Sequence, residues 1–367
     1  MLLGLAFCLR ASAQQPSTAD AVQQALKDGD SAFAHGSYDI AHQSFLRASQ
    51  AAESSPDNSP IRYEILKRLT ATSVALGQFS QARAYLQSAV KWRESTVGPK
   101  DPKILDDLLL SISLDLRTKD FDQALATAQR VQAMHIAAYT ADSLPVADDL
   151  LRIGEIHLAE GKSQEAVHSL YAAYQLRMKL AGSLDPGLLP ILDTLNEAFR
   201  KTAGGYGTGT ESLYRQALQI RETIYGEDSP EIISALEMLA DTYVAGGEYN
   251  AAEPLYKRVV SLWEKLVGPD HPMVAVKLDK LADFYFKEGK PQEAKETLAR
   301  SVEIRARFLA LGLAQQAADS MTEGHREQAQ VLCNRALVAL GPEDSANEDL
   351  IKQIRKTLTD IQKPAEK

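Results

Sequence analysis

The chain contains few cysteines, few aromatic residues and no long apolar run. Only Cys8 and Cys333 occur in 367 residues, and loss of Cys8 with a signal segment would exclude any intramolecular disulfide. Aromatic residues make up 7% of the chain, while alanine, leucine, glutamine and glutamate are plentiful, which favours helix over sheet. No run of about 18 apolar residues follows the first few positions, so no membrane span is predicted. The predicted fold is therefore helical and held by packing.

Positive charge is also in short supply. The chain has 40 lysines and arginines against 49 aspartates and glutamates, a net charge of −9 and a pI of about 5.4. This balance is evidence against a general nucleic-acid binder. A chain of 367 residues is too long for one compact core unless it is elongated or divided.

The N-terminus reads "MLLGLAFCLRASAQQPSTAD". Its apolar run at Leu2–Leu9 and the small residues at 11–13 fit a secretory signal with a cleavage site. The expected basic start is missing and Arg10 comes late, so a start further upstream and an apolar tail of a cytosolic protein stay open. We predict a signal peptide at 1–13 and a linker at 14–20. The protein is then exported to the periplasm or the extracellular space, and is otherwise cytoplasmic.

A segment of the form Gly-x-aromatic-x-x-Ala recurs along the chain, in full or decayed form. Its first positions step by 41, 42, 42, 44, 42, 42 and 35 residues, too regular for chance composition. At Lys119 the glycine is replaced, and near Gly205 the segment decays. The eight first positions are Gly36, Gly77, Lys119, Gly161, Gly205, Gly247, Gly289 and Gly324.

Prolines form a second series about half a period away, with steps of 42, 43, 41, 44 and 42 residues. Proline is tolerated in the first helical turn, where its missing N–H has no intrahelical partner. Each proline therefore predicts the start of a helix, and each glycine about 17 residues later its end. The unit is helix, tight turn, helix, loop. The prolines are Pro60, Pro102, Pro145, Pro186, Pro230 and Pro272.

This pattern resembles the tetratricopeptide repeat. The stretch "GDSAFAHGSYDIAHQSFLRA" (Gly29–Ala48) matches that family's spacing of small and aromatic residues, and the 42-residue units resemble the kinesin-light-chain subtype. The resemblance implies an all-α fold, a right-handed superhelical solenoid of antiparallel helix pairs whose first helices line the concave side. It covers 21–340 in about eight repeats, irregular near 199–214. A C-terminal capping helix and tail are predicted at 341–367.

Two features depart from the regular repeat. "GGYGTG" at 204–209 carries four glycines, and is interpreted either as a lengthened turn or as a hinge between two blocks of repeats. The asparagine pairs that grip peptide backbone in the light-chain subtype are absent, because Glu237-Met238 and Asp279-Lys280 stand in those positions. The cargo of that family is therefore not transferred to this chain.

Motifs for catalysis and metal binding were sought among the polar residues. No two of the seven histidines have the i, i+4 spacing of a helical zinc site, and no cysteine pair supports one. The glycine-rich stretch lacks the Lys-Ser/Thr ending of a phosphate loop, and no nucleophile elbow occurs. We predict no catalytic residue, no metal, no cofactor and no enzymatic activity.

One pattern on the first helices indicates a binding surface. When the later first helices are aligned on their small residue, acids fall three residues before it and one residue after it, whereas Lys67, Leu109 and Leu151 take the first of these positions in earlier helices. The resemblance implies that both positions face the groove, with Val244 and Phe286 one turn further on as apolar anchors. A solvated face of an acidic protein is the plain alternative. The candidate groove residues are Glu155, Asp193, Glu197, Glu237, Asp241, Asp279, Asp283, Val244 and Phe286.

Three functional hypotheses follow. The first is a non-catalytic scaffold that binds a protein or peptide, because stacked repeats expose a long surface without a deep catalytic pocket. A Lys/Arg-rich segment is the candidate ligand of its acidic groove. The second is a regulatory or sensor subunit that controls a separate catalytic partner. The third is an enzyme with its site inside the superhelix. The sequence leaves the partner and the oligomeric state open.

Overall fold

The computed structural model describes residues 18–54, 60–202, 210–341 and 347–362. The predicted signal peptide and the glycine-rich stretch at 204–209 lie outside these residues. Sixteen α-helices and three short 3-10 helices make up the secondary structure of the described ranges, which contain no strand. The all-α prediction is thus confirmed.

The chain divides into two compact units between Leu180 and Ala181. The first unit contains four helix pairs, joined within each pair by a turn of two to three residues. Its helices are α1 (Thr18–Ala34), α2 (Tyr38–Ala51), α3 (Pro60–Ala75), α4 (Phe79–Val97), α5 (Leu105–Arg117), α6 (Phe121–Tyr139), α7 (Leu144–Glu160) and α8 (Ser163–Ala181). The first helix therefore begins within the segment predicted as a linker at 14–20.

The second unit continues the helix pairs and ends with an additional helix. Its helices are α9 (Leu188–Thr202), α10 (Glu211–Tyr225), α11 (Ile233–Ala245), α12 (Tyr249–Val267), α13 (Pro272–Glu288), α14 (Pro291–Thr322), α15 (Arg326–Leu340) and α16 (Glu348–Gln362). The prolines fall at or within a few residues of the helix starts: Pro272 is the first residue of α13, and Pro230 begins a 3-10 turn that leads into α11.

Each turn within a pair that the structure describes is closed by one residue with positive φ. At Gly77 (φ 72°) the N–H bonds to Val74, and the next N–H, of Gln78, bonds back to Ser73 at 2.8 Å. This hydrogen-bond pattern satisfies carbonyls that the helix end leaves free. Lys119 takes the same left-handed conformation (φ 59°) in the third pair, where the other described turns use glycine. In the described turns, the first helix of each pair therefore ends where the glycine spacing predicts.

Close contact within a pair depends on a small residue of the first helix facing a large residue of the second. Gly154 of α7 packs against Leu170 of α8, and a Cβ built on Gly154 would lie 2.5 Å from the Leu170 Cγ. Gly29 has the same relation to Phe45, which is 1% exposed. These contacts form the core of each pair, because only a small side chain lets the two helices approach closely.

The eighth pair differs from the expected pattern. Where a loop was expected between the seventh and eighth pairs, α14 continues as one helix of 32 residues. The proline series ends at Pro272, and Ala314, a further 42 residues along, is a strong helix former. Without proline or a glycine turn nothing stops the helix, so one helix serves both pairs.

Helix α16 covers the C-terminal end of the second unit. Its Ile351 and Ile354 are buried against a cluster that contains Leu313, Leu332 and Cys333. Its other positions are largely polar, as expected for a helix that closes the end of a repeat stack. No helix among the described residues combines the length and the apolar character needed to cross a membrane.

Candidate functional site

The first candidate site is a cavity of about 480 Å³ between α11 and α13, here called the α11–α13 cavity. Helix α12 contributes one residue, Tyr256, and the two first helices contribute the others. Acidic, basic and apolar side chains all line the cavity, so its lining is mixed in charge and polarity. Its lining residues are Asp241, Val244, Ala245, Tyr256, Lys280, Asp283, Phe284 and Lys287.

Asp241 and Asp283 differ in their partners, although both are acids of the predicted series. Asp241 accepts a hydrogen bond from the Tyr256 hydroxyl and pairs with Lys280, whose Nζ lies 3.0 Å from its Oδ2. The Lys280 ammonium also lies 5.5 Å from the centroid of the Tyr256 ring. Asp283 is exposed and has no ion pair with any residue in the described part of the chain. Asp283 is thus the carboxylate of this cavity that is available to a ligand.

Two other acids of the predicted groove in the second unit are neutralised by arginines of neighbouring helices. Asp193 pairs with Arg221 (2.6 Å) and Asp279 pairs with Arg305. These two arginines occupy the same position of their second helices, eleven residues after the small residue that follows each turn. These two acids of the predicted groove are therefore neutralised by ion pairs, because the second helix supplies a matching charge.

Glu237 pairs with a lysine of the next first helix, because its own second helix lacks the arginine. The position of its expected arginine is occupied by Trp263, and Lys277 of the next first helix pairs with Glu237 instead, at 2.8 Å. The Lys277 ammonium lies 5.7 Å from the Trp263 ring centroid, so the indole and the carboxylate hold one cation together.

A second cavity, of about 320 Å³, lies between α9 and α11 and is called the α9–α11 cavity. Asp193 and Glu197 both line it, together with Arg200 and Arg221. Glu197 pairs with Lys201 at 2.8 Å, but both side chains are more than two-fifths exposed, so solvent screens this pair.

Asn196 lines the α9–α11 cavity and was not predicted as a site residue. It is 2% exposed, and neither its amide nitrogen nor its amide oxygen has a hydrogen-bond partner. It stands where Gly154, Ala240 and Ala282 stand in other first helices. A polar residue at a position otherwise kept small was the signal that could have found it. An unsatisfied buried amide costs about 1–3 kcal/mol, so this carboxamide is a weak point of the fold.

The structure does not bring all predicted residues into these two cavities. Glu237, Asp279 and Phe286 line neither, and Glu155 belongs to α7 in the first unit. Phe286 is 53% exposed, one turn beyond Asp283 on α13, and Val244 is half-buried one turn beyond Asp241. An apolar side chain therefore follows the carboxylate along each of these two helices, and its role as an anchor stays a prediction.

Two carboxylates of the series have perturbed acidity. Desolvation raises the pKa of Glu155, and the nearby Arg152 opposes this only in part. At Asp279 desolvation also acts to raise the pKa, but hydrogen bonds from Arg305 and Ser301 outweigh it and leave the pKa below its usual value. Within the described ranges, no three His, Cys, Asp or Glu side chains cluster in a way that could hold a metal ion.

Comparisons with known proteins agree on the repeat. The family model described as "Tetratricopeptide repeat" matches residues 209–265 and 246–307. Among curated proteins there is no match. Solved structures with similar folds include the nearly identical TPR-like repeats of a putative kinesin light chain from Podosopora anserina. That match has 22% identity and a TM-score of 0.48, and covers 57% of this chain and 98% of the other.

Two further solved structures extend over more of the chain. BtubC (BKLC) from P. vanneervenii is 15% identical, covers 80% of this chain and 93% of its own, and has a TM-score of 0.39. A tetratricopeptide repeat protein from Parabacteroides merdae is 15% identical, with coverages of 80% and 99% and a TM-score of 0.43. The kinesin-light-chain-like 42-residue subtype stays a prediction. The family model identifies tetratricopeptide repeats in residues 209–307, and the helix pairs with small-to-large contacts agree with that fold.

Proposed function

We propose that this protein is a non-catalytic scaffold that binds a peptide segment of a protein partner in the α11–α13 cavity. The observation that carries the proposal is Asp283, an exposed carboxylate without an ion pair in the described residues. Tetratricopeptide repeats generally mediate protein interactions. The lining of mixed charge and polarity offers ionic and apolar contacts to a peptide.

The preferred segment carries one lysine or arginine beside an apolar residue. The basic group pairs with Asp283, while the apolar side chain packs on Phe286, one turn away on the same helix, and on Val244 of α11. Since Asp241 is already paired with Lys280, a single cation is expected here rather than a long basic run. An exposed ion pair contributes about 0–1 kcal/mol, so most of the affinity comes from the apolar contacts.

Selection of random decapeptides on the immobilised full chain tests this proposal. We expect enrichment of sequences that place lysine or arginine within a few residues of an aliphatic or aromatic residue. Binding of the selected peptides should weaken with salt, because the Debye length falls from about 10 Å at 0.1 M to about 3 Å at 1 M. Peptides without a basic residue, or with no dependence on salt, would contradict the basic part of the proposal.

Three variants test which side chains contact the selected peptides. Asp283→Asn should weaken the selected peptides by up to about fivefold and reduce their salt dependence. Phe286→Ala should weaken them by more, since it removes apolar contact area. Glu303→Gln removes the same charge from α14 at an exposed position outside the cavity, and should have no effect. Equal effects of Asp283→Asn and Glu303→Gln would place the site elsewhere.

We also propose that the protein is exported and that its mature chain begins near Gln14. The apolar run and the small residues at 11–13 support this proposal. N-terminal sequencing of the protein from its native host tests it. A mature chain in the periplasm or medium that begins near Gln14 is expected, and an intact Met1 in the cytosolic fraction would overturn it.

A further inference from the structure

Three second helices are tied to the loop before their pair by the same ion pair. In each, a basic residue thirteen positions after the small residue that follows the turn reaches an aspartate 37 residues earlier, with N–O distances between 2.5 and 3.2 Å. The exposed pair fixes the loop against the end of the helix. The three pairs are Lys179–Asp142, Lys265–Asp228 and Arg307–Asp270.

The third helix pair breaks this rule on both sides. The helix position is Ala137 in α6, and the loop position is Lys100. Ala137 has no charged group to form the ion pair, and Lys100 has no ion pair with a described residue. An unpaired ammonium thus stands where three other loops carry a paired carboxylate.

The same helix end has lost side-chain volume. Ala133 and Ala138 accompany Ala137, whereas the corresponding residues of α12 are Ser261, Leu266 and Lys265. The result is an open cavity of about 460 Å³ between the loop and α6, here called the α6 cavity. Prolines of the loop and Leu105, Met134 and Tyr139 supply most of its wall, so the wall is chiefly apolar.

The polar groups around the α6 cavity are cationic or already engaged. Arg130 pairs with Glu94 at 2.6 Å and donates to the Pro99 carbonyl, and His135 bonds to the buried Asp149 at 2.7 Å. No carboxylate lines the cavity. Lys100 is therefore the charged group left for a ligand, and the charge it would accept is negative.

From these observations we infer that the α6 cavity binds a small apolar molecule that carries one carboxylate, with its hydrocarbon part on the alanines and Met134 and its carboxylate on Lys100. The volume lies in the range of pockets that hold small ligands. This site is in the first unit and is independent of the peptide site proposed above, which lies in the second unit.

Titration calorimetry with decanoate and with decanol, on the full chain below their aggregation concentrations, tests the inference. We expect saturable 1:1 binding of decanoate and weaker binding of decanol. Lys100→Gln should lower the decanoate affinity about two- to fivefold, toward that of decanol, because it removes only the ion pair. Ala138→Leu should lower both affinities by on the order of tenfold, because it fills the cavity.

The double variant Lys100→Asp with Ala137→Lys is the sharpest control, since it introduces the ion pair that three other loops carry. It should keep the circular dichroism and thermal midpoint of the parent chain, or raise the midpoint, and lose decanoate binding. Absence of saturable binding to the parent chain overturns the inference. So does decanoate binding that survives both this double variant and Ala138→Leu, because the ligand would then bind elsewhere.

Discussion

At the scale of single residues, Thr140 holds the least favourable backbone conformation among the described non-glycine residues. It closes α6 with φ 114° and ψ 164°, and the corresponding residues of α4 and α12 are Gly98 (99°, 154°) and Gly268 (91°, 153°). This region is open to glycine and strained for a β-branched residue, at a cost of about 1–3 kcal/mol.

Replacing Thr140 by glycine should therefore stabilise the chain. We expect Thr140→Gly to raise the free energy of unfolding by about 1 kcal/mol, since the relief of strain exceeds the entropy lost by a more flexible unfolded chain. Urea unfolding followed by circular dichroism measures this difference. As control, Thr118→Gly changes a cap residue with φ −88° and should destabilise by about 0.5–1 kcal/mol. A loss of stability in Thr140→Gly would show that its backbone is not strained.

At the scale of helices, two glycines in helix interiors should respond to alanine in opposite ways. Gly154→Ala places a Cβ 2.5 Å from the Leu170 Cγ, so the helices must separate, and we expect a loss of about 1–3 kcal/mol despite the better helix propensity. Gly312→Ala in α14 meets nothing within 4 Å, and should gain about 0.5–1 kcal/mol from propensity alone. Denaturant midpoints of both variants test the contrast, and a gain in both would refute close packing at Gly154.

Glu253 links α12 to α13 and to the turn that follows α13, and makes stability depend on acid pH. Hydrogen bonding with Lys257, then with Lys290 and Tyr285, outweighs desolvation and lowers the pKa of Glu253 to about 2 from its ordinary value of 4.5. Because the folded pKa is depressed, the stabilisation is present above about pH 4.5 and is lost as the pH falls through about 2.

The variant Glu253→Gln should therefore be less stable than the parent chain by roughly 1 kcal/mol at pH 7, and equal to it near pH 2. Urea midpoints at several pH values between 7 and 2 measure the convergence. Glu303→Gln, whose carboxylate has no ion pair in the described residues, should show no such dependence. A difference that persists unchanged to pH 2 would exclude the ionised carboxylate as its cause.

At the scale of the whole molecule, the repeat predicts that one complete unit can be removed. Deletion of residues 228–269, a length of 42, joins Glu227 to Asp270 and recreates a loop of the same kind before α13. Val274 and Leu278 of α13 then take the places of Ile232 and Leu236 against the preceding helix pair, because they occupy the same repeat positions. Because each repeat contacts chiefly its neighbours, the shortened chain should stay helical and soluble with a lower thermal midpoint.

Deletion of residues 228–263 is the matched control. It removes 36 residues, a length that is not one period, and leaves the end of α12 without the start of its helix. We expect aggregation or a broad unfolding transition. Equal behaviour of the two deletions in thermal unfolding would mean that the period has no energetic importance.

The sequence by itself determined the helices, their order and most of their ends. Proline at the start of a helix and glycine after its end act through the backbone of a few adjacent residues, so their meaning does not depend on distant parts of the chain. The length of α14 also has a local cause, because Ala314 stands where the series would place a proline.

Only the tertiary structure decided the charges and the cavities. Asp193 meets Arg221 across 28 residues of sequence and Glu237 meets Lys277 across 40, so the acids identified on the first helices looked unpaired until the neighbouring helices were in place. Asn196 and Lys100 differ in the opposite way: Asn196 has no hydrogen-bond partner at a position where other first helices have glycine or alanine, and Lys100 has no ion pair where three other loops have a paired aspartate. Electrostatic pairing and cavity shape depend on distances between helices, and a local sequence pattern does not encode those distances.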